Sequence, residues 1–308
     1  IYATGFILAL SLALSCSPAA TLAPEPTAIP VRSAPETSQE TSHPSLTAIL
    51  ATKVLRVGTQ RVSFLLTNPK SLIKAPEATV TTQFLLGGDA ITETKQAPFL
   101  IWPYGIRGSY STELTFERPG RWQLNITVDE ERYVGEVKLV VEVEEHAGIP
   151  DIGTIPPRST TKTLETVGSI EELTTDYSPD PDLYQLTISD AIDSNLPSVI
   201  VFATPAFCTS PTCGPQVDTV EELKNKHKGD ANFIHVEYYD NPVEIQRNLS
   251  KAVFATAVKE WGINEIPEWL DESWTFILNN EGRIEHKYEG YVTLVELEAA
   301  LQHVLEPS

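Results

Sequence analysis

The chain has 308 residues, with 42 acidic side chains against 22 Lys and Arg and a formal net charge of −20. So negative a surface excludes binding through neutralised phosphates, so nucleic acid is not an expected partner, and it excludes electrostatic adhesion to anionic lipids. Three cysteines leave one odd, which in a secreted chain calls for an explanation.

Taken in order, the chain opens on an apolar run, Phe6 to Leu14, that is shorter than the about 20 residues needed to span a bilayer. It reads as a signal-peptide core ending in Leu14-Ser15-Cys16-Ser17. Leu12-Ala13-Leu14-Ser15-Cys16 resembles a bacterial lipobox. That resemblance implies a lipoprotein-type signal peptide over 1–16, acylation of Cys16, and an extracytoplasmic protein lipid-anchored to the bacterial cell membrane. Lipidation of Cys16 would account for the odd cysteine and leave Cys208 and Cys213 as a pair in an oxidising compartment. Residues 17–46 are rich in Pro, Ala, Ser, Thr and Glu and contain no Phe, Trp or Tyr. They cannot bury enough surface to offset ordering entropy, so a disordered tether is expected.

From 47 to 145 the apolar period is two. Val62, Phe64 and Leu66 alternate, as do Val80, Thr82 and Phe84, then Tyr110, Thr112, Leu114 and Phe116. After the turn Arg118-Pro119-Gly120 come Trp122, Leu124, Ile126 and Val128, and then Val137, Leu139, Val141 and Val143. The spacing predicts an antiparallel β-sandwich. Tyr110 to Val128, with its Pro-Gly-Arg-Trp hairpin, resembles the immunoglobulin-like bacterial domains of the CopC and YtkA kind. Such domains bind copper through histidines; none lies between His43 and His146, so no metal is expected here. The apolar, aromatic stretch Ala97 to Gly105 reads as a loop between strands, folded over an open end of the sandwich or offered to a partner.

Residues 146–181, polar and carrying five prolines, read as an interdomain linker with a short helix at Ser169 to Thr174. Beyond it Tyr184 to Ile188 reads as a short strand. Val199 to Phe202 is a continuous β-branched and apolar run, the pattern of a strand buried on both faces, and it breaks at Thr204-Pro205 into a loop carrying Cys208 and Cys213. Val217, Val220 and Leu223 then recur at helical spacing. Cys213 is thus expected at a helix N-terminus, where free amides and the dipole favour a thiolate. Strand Phe233 to Tyr238, helix Ser250 to Trp261, strand Trp274 to Leu278, turn Asn279-Asn280-Glu281-Gly282, strand Arg283 to Tyr288 and helix Leu294 to Leu305 complete the reading.

Thr212-Cys213-Gly214-Pro215-Gln216 resembles the active-site sequence of the thioredoxin-like superfamily, with Gln216 where thioredoxin has its second cysteine. The second thiol lies upstream, at Cys208, which is nearer to the redoxin and SCO-like branch. The resemblance implies an α/β thioredoxin-like domain over 182–308. In it Gly214, Pro215, Trp274 and Thr275 would support the active site, the Trp274 ring shielding the sulfurs.

These residues point to a membrane-tethered thiol–disulfide oxidoreductase in which Cys208 and Cys213 cycle between dithiol and disulfide, acting on protein or small-molecule thiols and disulfides without a cofactor. Two alternatives stay open. One is a structural disulfide in a non-enzymatic binding lipoprotein, and the other is SCO-like copper handling, for which soft thiolates are suitable. The dipole argument makes Cys213 the attacking sulfur and Cys208 the resolving one; the opposite order, with Cys208 the more accessible, is the competing view.

Overall fold

The computed structural model describes residues 46–86, 92–103, 107–130, 133–146, 148–266 and 272–306. The expected signal peptide, Cys16 and all but the last residue of the tether lie outside them. The described residues belong to one compact unit.

Eight strands come first: β1 (Thr47–Leu50), β2 (Gly58–Asn68), β3 (Ser71–Leu72), β4 (Glu77–Phe84), β5 (Thr92–Ile101), β6 (Gly108–Phe116), β7 (Gly120–Glu130) and β8 (Tyr133–Val143). They form a single antiparallel sheet in the order β1-β2-β6-β5-β4-β7-β8, with β3 paired to β2. Its continuity depends on β5, which pairs with β4 from Thr92 to Pro98 and then with β6 from Phe99 to Ile101. The sheet curls until a bridge between Arg56 and Glu144 joins the approach to β2 to the end of β8. Inward positions Val62, Phe64, Leu66, Val80, Tyr110, Leu114, Phe116, Trp122, Leu124 and Ile126 are fully buried, because a period of two sends alternate side chains to one face.

The antiparallel β character of this half follows the alternation, but the expected immunoglobulin-like, CopC/YtkA-like sandwich is corrected to one continuous, nearly closed, barrel-like sheet. The stretch that hides this in the sequence is Ala97 to Ile101. It is strand rather than loop. Pro98 interrupts its alternation, yet Ala97 is fully buried and Pro98 simply faces out at the position opposite Glu77.

The second sheet has the order β10-β9-β11-β12, from β9 (Ser198–Ala203), β10 (Asn232–Glu237), β11 (Trp274–Leu278) and β12 (Ile284–Glu289). Only β9 and β10 run parallel. The α-helices are α1 (Ile188–Asp193), α2 (Cys213–Lys226), α3 (Pro242–Ile245), α4 (Thr256–Glu260) and α5 (Leu294–Leu305). Among the described residues no helix is long and apolar enough to cross a membrane.

The expected α/β thioredoxin-like domain, and with it the redoxin and SCO-like resemblance, is corrected. The described chain is mainly β, and α1, α3 and α4 have only four to six residues. The strand–helix alternation read from the sequence breaks down between β10 and β11. In place of a helix over Ser250 to Trp261 there is a 3-10 turn, Leu249–Lys251, and the short α4. The residues between them are held extended against the end of β10 by Asp240 N donating to Val253 O (2.7 Å) and Ala255 N donating to Tyr238 O (2.9 Å). The expected strand at Tyr184 to Ile188 is instead the end of a 3-10 turn, Pro181–Tyr184, followed by α1. Here Thr187 and Asp190 form a reciprocal capping box, a helix-start signal that outweighs the β-branched residues around it.

Residues 146–181 contain the 3-10 turn Ile170–Glu172 and bury Ser159, Thr163, Leu173, Thr174 and Thr175. Trp261 Nε1 donates to Ser159 Oγ (3.2 Å), and Thr175 Oγ1 donates to Glu237 Oε2 (2.7 Å). The two sheets are joined by side chains. Arg61 of β2 reaches Glu296 of α5, and Glu289 of β12 accepts the backbone amides of Lys53 and Val54.

Candidate functional site

The second sheet divides its side chains between two clusters. Val199, Val201, Ala203, Phe233 and Ile277 pack with Val217, Val220, Leu297 and Leu301 of α2 and α5, and this cluster contains Cys213. Ile200, Phe202, Ile234, Val236, Trp274 and Phe276 pack with Trp261 on the other face. β9 ends at Ala203, and the chain turns through Thr204 O, which accepts the amides of Phe207 (3.1 Å) and Cys208 (3.0 Å). It then returns to the sheet as α2.

Cys208 and Cys213 are joined as a disulfide, their Cα atoms 6.1 Å apart. Cys213 is the first residue of the 14-residue α2 and is fully buried, whereas Cys208 is half-buried. Pro215, third in the helix, costs no intrahelical bond because the first four amides have no partner within it. Its carbonyl accepts from Thr219 Oγ1 (2.7 Å). Gly214 is open: a Cβ built there would meet nothing within 4 Å.

The short loop between the cysteines is tied by hydroxyls to one carboxylate. Thr212 Oγ1 donates to Glu272 Oε2 (2.9 Å), with Ser210 Oγ 3.4 Å from the same oxygen. Ser210 Oγ also stands 3.7 Å from Cys208 Sγ. Behind the loop, Thr175 Oγ1 accepts from Ala206 N (3.2 Å) and donates to Glu237 Oε2 (2.7 Å). Glu237 accepts further bonds from Thr175 N and Tyr238 N. Burial nonetheless pushes its carboxyl up to about 7, against these donors and the Thr204 hydroxyl. His235, two residues earlier on β10, is held down at about 4 by burial. It is therefore a neutral imidazole, whose Nε2 donates to Ala203 O (3.2 Å) while Nδ1 accepts from Tyr184 OH (2.7 Å).

Of the residues singled out from the sequence, Cys208, Cys213, Gly214 and Pro215 come together. Thr275, fully buried and paired in register with Val201, is one residue from Trp274 and so on the opposite side of the sheet, the α2 side. Trp274 belongs to the other cluster, its ring 6.2 Å from Phe276, so it does not shield the sulfurs. Sequence reasoning missed Glu237, Thr175 and Glu272. Glu237 and His235 had a visible signal, as polar residues inside the apolar run from Phe233 to Tyr238; Thr175 and Glu272 had none.

Chemically, the site holds one partly accessible sulfur bonded to one sealed at a helix start. Of the two sulfurs, that of half-buried Cys208 is the more accessible.

No family model matches the chain, and no curated protein matches it. Among solved structures it is similar to a β-glucosidase from Listeria innocua in complex with glucose, at 15% identity and a TM-score of 0.21 over 33% of this chain and 16% of that one. The same enzyme in complex with gluconolactone gives the same values. A CARDB domain from Pyrococcus furiosus in complex with di-metal ions is similar at 20% identity, with a TM-score of 0.18 over 33% of this chain and 90% of that one. The chain thus spans about a sixth of the glucosidase. Similarities of this size assign neither fold nor activity.

Proposed function

We propose that the chain is an extracytoplasmic thiol–disulfide oxidoreductase, tethered to the membrane through Cys16, that exchanges the Cys208–Cys213 disulfide with dithiol partners. The observation that supports this is the unequal exposure of the bonded pair, with Cys208 half-buried and Cys213 buried as the first residue of α2. In the oxidising direction a substrate thiolate attacks Cys208 Sγ, the Cys208–Cys213 bond breaks, and its electron pair passes to Cys213 Sγ. The second substrate thiolate then attacks the substrate sulfur of the mixed disulfide and displaces Cys208 as thiolate. Two substrate thiols leave as a disulfide with loss of two protons, and the protein is left as a dithiol. In this order Cys208 carries the mixed disulfide and Cys213 resolves it, the reverse of what the dipole argument alone suggests, because a sulfur with no exposed surface cannot be reached by a macromolecule.

The test has two parts. Redox titration of the wild-type chain against glutathione should place the pair above about −300 mV, the range of exchange-active disulfides. A value well below that, with no exchange, would make the bridge structural. With single variants and glutathione disulfide as the partner, the remaining thiolate attacks one glutathione sulfur and releases the other as thiolate: Cys213→Ser should be trapped as a Cys208–glutathione mixed disulfide and Cys208→Ser should not; trapping at Cys213 instead would restore the other order.

The tether rests on Leu12-Ala13-Leu14-Ser15-Cys16. Expressed in a bacterium with lipoprotein processing, the chain should partition with the membrane, and Cys16→Ser should release it or leave its signal uncleaved. A mature wild-type N-terminus other than an acylated Cys16 would sink this part.

A further inference from the structure

One buried donor three residues after Cys213 has no hydrogen-bond partner among the described residues. Gln216 has no exposed surface. Its Oε1 accepts from Val292 N (2.7 Å), which fixes the amide, because only the oxygen can meet an N–H donor. Its Nε2 is then left with no hydrogen-bond partner among the described residues. Leaving such a group buried and unpaired is costly, and an apolar residue of similar length would remove the cost. Gln216 stands three residues after Cys213 on α2, and both are sealed on the buried face of that helix. Residues three apart on a helix are neighbours, so Gln216 and Cys213 are adjacent side chains on that face of α2.

We infer that Gln216 is the positioning residue for the reduced state, its Nε2–H donating to the Cys213 thiolate once the disulfide opens. This rests on the exchange reading above and names what receives the leaving sulfur. In the oxidised protein Cys213 Sγ is bonded to Cys208 and carries no charge. When a substrate thiolate takes Cys208, the electron pair released onto Cys213 creates the acceptor that Nε2 lacks, and no proton need enter the core. A hydrogen bond to a charged group is stronger than one to a neutral group, so the interaction favours the mixed disulfide and the dithiol over the starting disulfide.

The experiment compares Gln216→Met with wild type in the full chain. Met keeps the length and removes the donor without adding charge. In a Cys208→Ser background, thiolate absorbance across pH should show the Cys213 thiol less acidic by roughly tenfold in its dissociation constant, the scale of one charge-assisted hydrogen bond. With both cysteines present, the equilibrium with glutathione should shift by a similar factor toward the disulfide. A merely structural role would change thermal stability and move neither readout. Wild-type protein supplies a check that needs no variant: the Gln216 side-chain amide resonance should move on reduction and track the Cys213 titration. If the wild type exchanges but Gln216→Met matches it in both readouts, or the amide resonance is the same in both redox states, this proposal is overturned alone. If the wild-type pair does not exchange at all, the oxidoreductase reading falls first.

Discussion

Arg61→Met should destabilise the protein by about 3 kcal/mol, toward the range for removing one partner of a buried ion pair. Arg61 Nε donates to Glu296 Oε1 (2.8 Å) and Nη2 to Tyr291 O (3.1 Å), and the side chains are only 7% and 24% exposed. Burial pushes the Glu296 carboxyl up, but Arg61 and the Thr293 donors more than offset this and hold it below its usual range. The same carboxylate caps α5 by accepting from Thr293 N (2.9 Å) and Oγ1 (2.8 Å). Removing Arg61 therefore leaves a buried charge unpaired and loosens the helix that covers the cysteine face of the second sheet. For a unit of this size the melting temperature should fall by roughly 6–12 °C. A loss under about 1 kcal/mol by denaturant titration would mean the two sheets are held together by other contacts. Because the depressed carboxylate stabilises above its unfolded pKa, the wild-type advantage should vanish as acid protonates it.

A second large effect is pH-dependent, and its sign is opposite. Glu289 is buried at the junction, where Oε2 accepts from Lys53 N (2.9 Å) and Val54 N (3.0 Å), and burial pushes its carboxyl up to about 7 against these donors. Between its ordinary value of 4.5 and about 7 the folded chain binds this proton more tightly than the unfolded chain does. Stability from this group is thus complete at acid pH and is lost as pH rises through 7, at a cost of about 3 kcal/mol. Gln in its place keeps an oxygen for both amides and cannot ionise. Glu289→Gln should match the wild type near pH 4.5 and exceed it by about 2–3 kcal/mol at pH 8, measured by urea unfolding at both. An equal difference at the two pH values would show that the carboxyl does not titrate on folding. Subtracting variant from wild type isolates this group from Glu237, which has the same sign, and from His235 and Lys287, held down at about 4 and 8, which have the opposite one.

The sequence by itself determined most elements whose cause is local. Alternation in Val62 to Leu66 and Trp122 to Val128 marks strands because one face of a pleat is buried; the run Val199 to Phe202 marks a central strand because both faces are. Pro215 just inside α2 and Thr293 before α5 mark where helices start, by leaving free or satisfying the first amides. Through that local chemistry Cys213 was legible as a helix-start cysteine. What only the tertiary structure decided depends on pairing between distant residues. That β5 stitches two faces into one curled sheet follows from its change of partner at Phe99, which no local pattern encodes. Phe254 and its neighbours are extended rather than helical because the segment just after β10, Tyr238 to Asp240, offers them backbone partners. Trp274 and Thr275 are adjacent in sequence and fall on opposite faces, so resemblance could name both, but only the register of β11 on β9 shows that just the threonine shares the cysteine side. Thr175, Glu237 and Glu272 hold the cysteine loop from three separate segments, and Gln216 ties α2 to Val292. Their roles come from burial and hydrogen bonding across gaps of up to 76 residues, and a polar side chain's surroundings are not written in its neighbours along the chain.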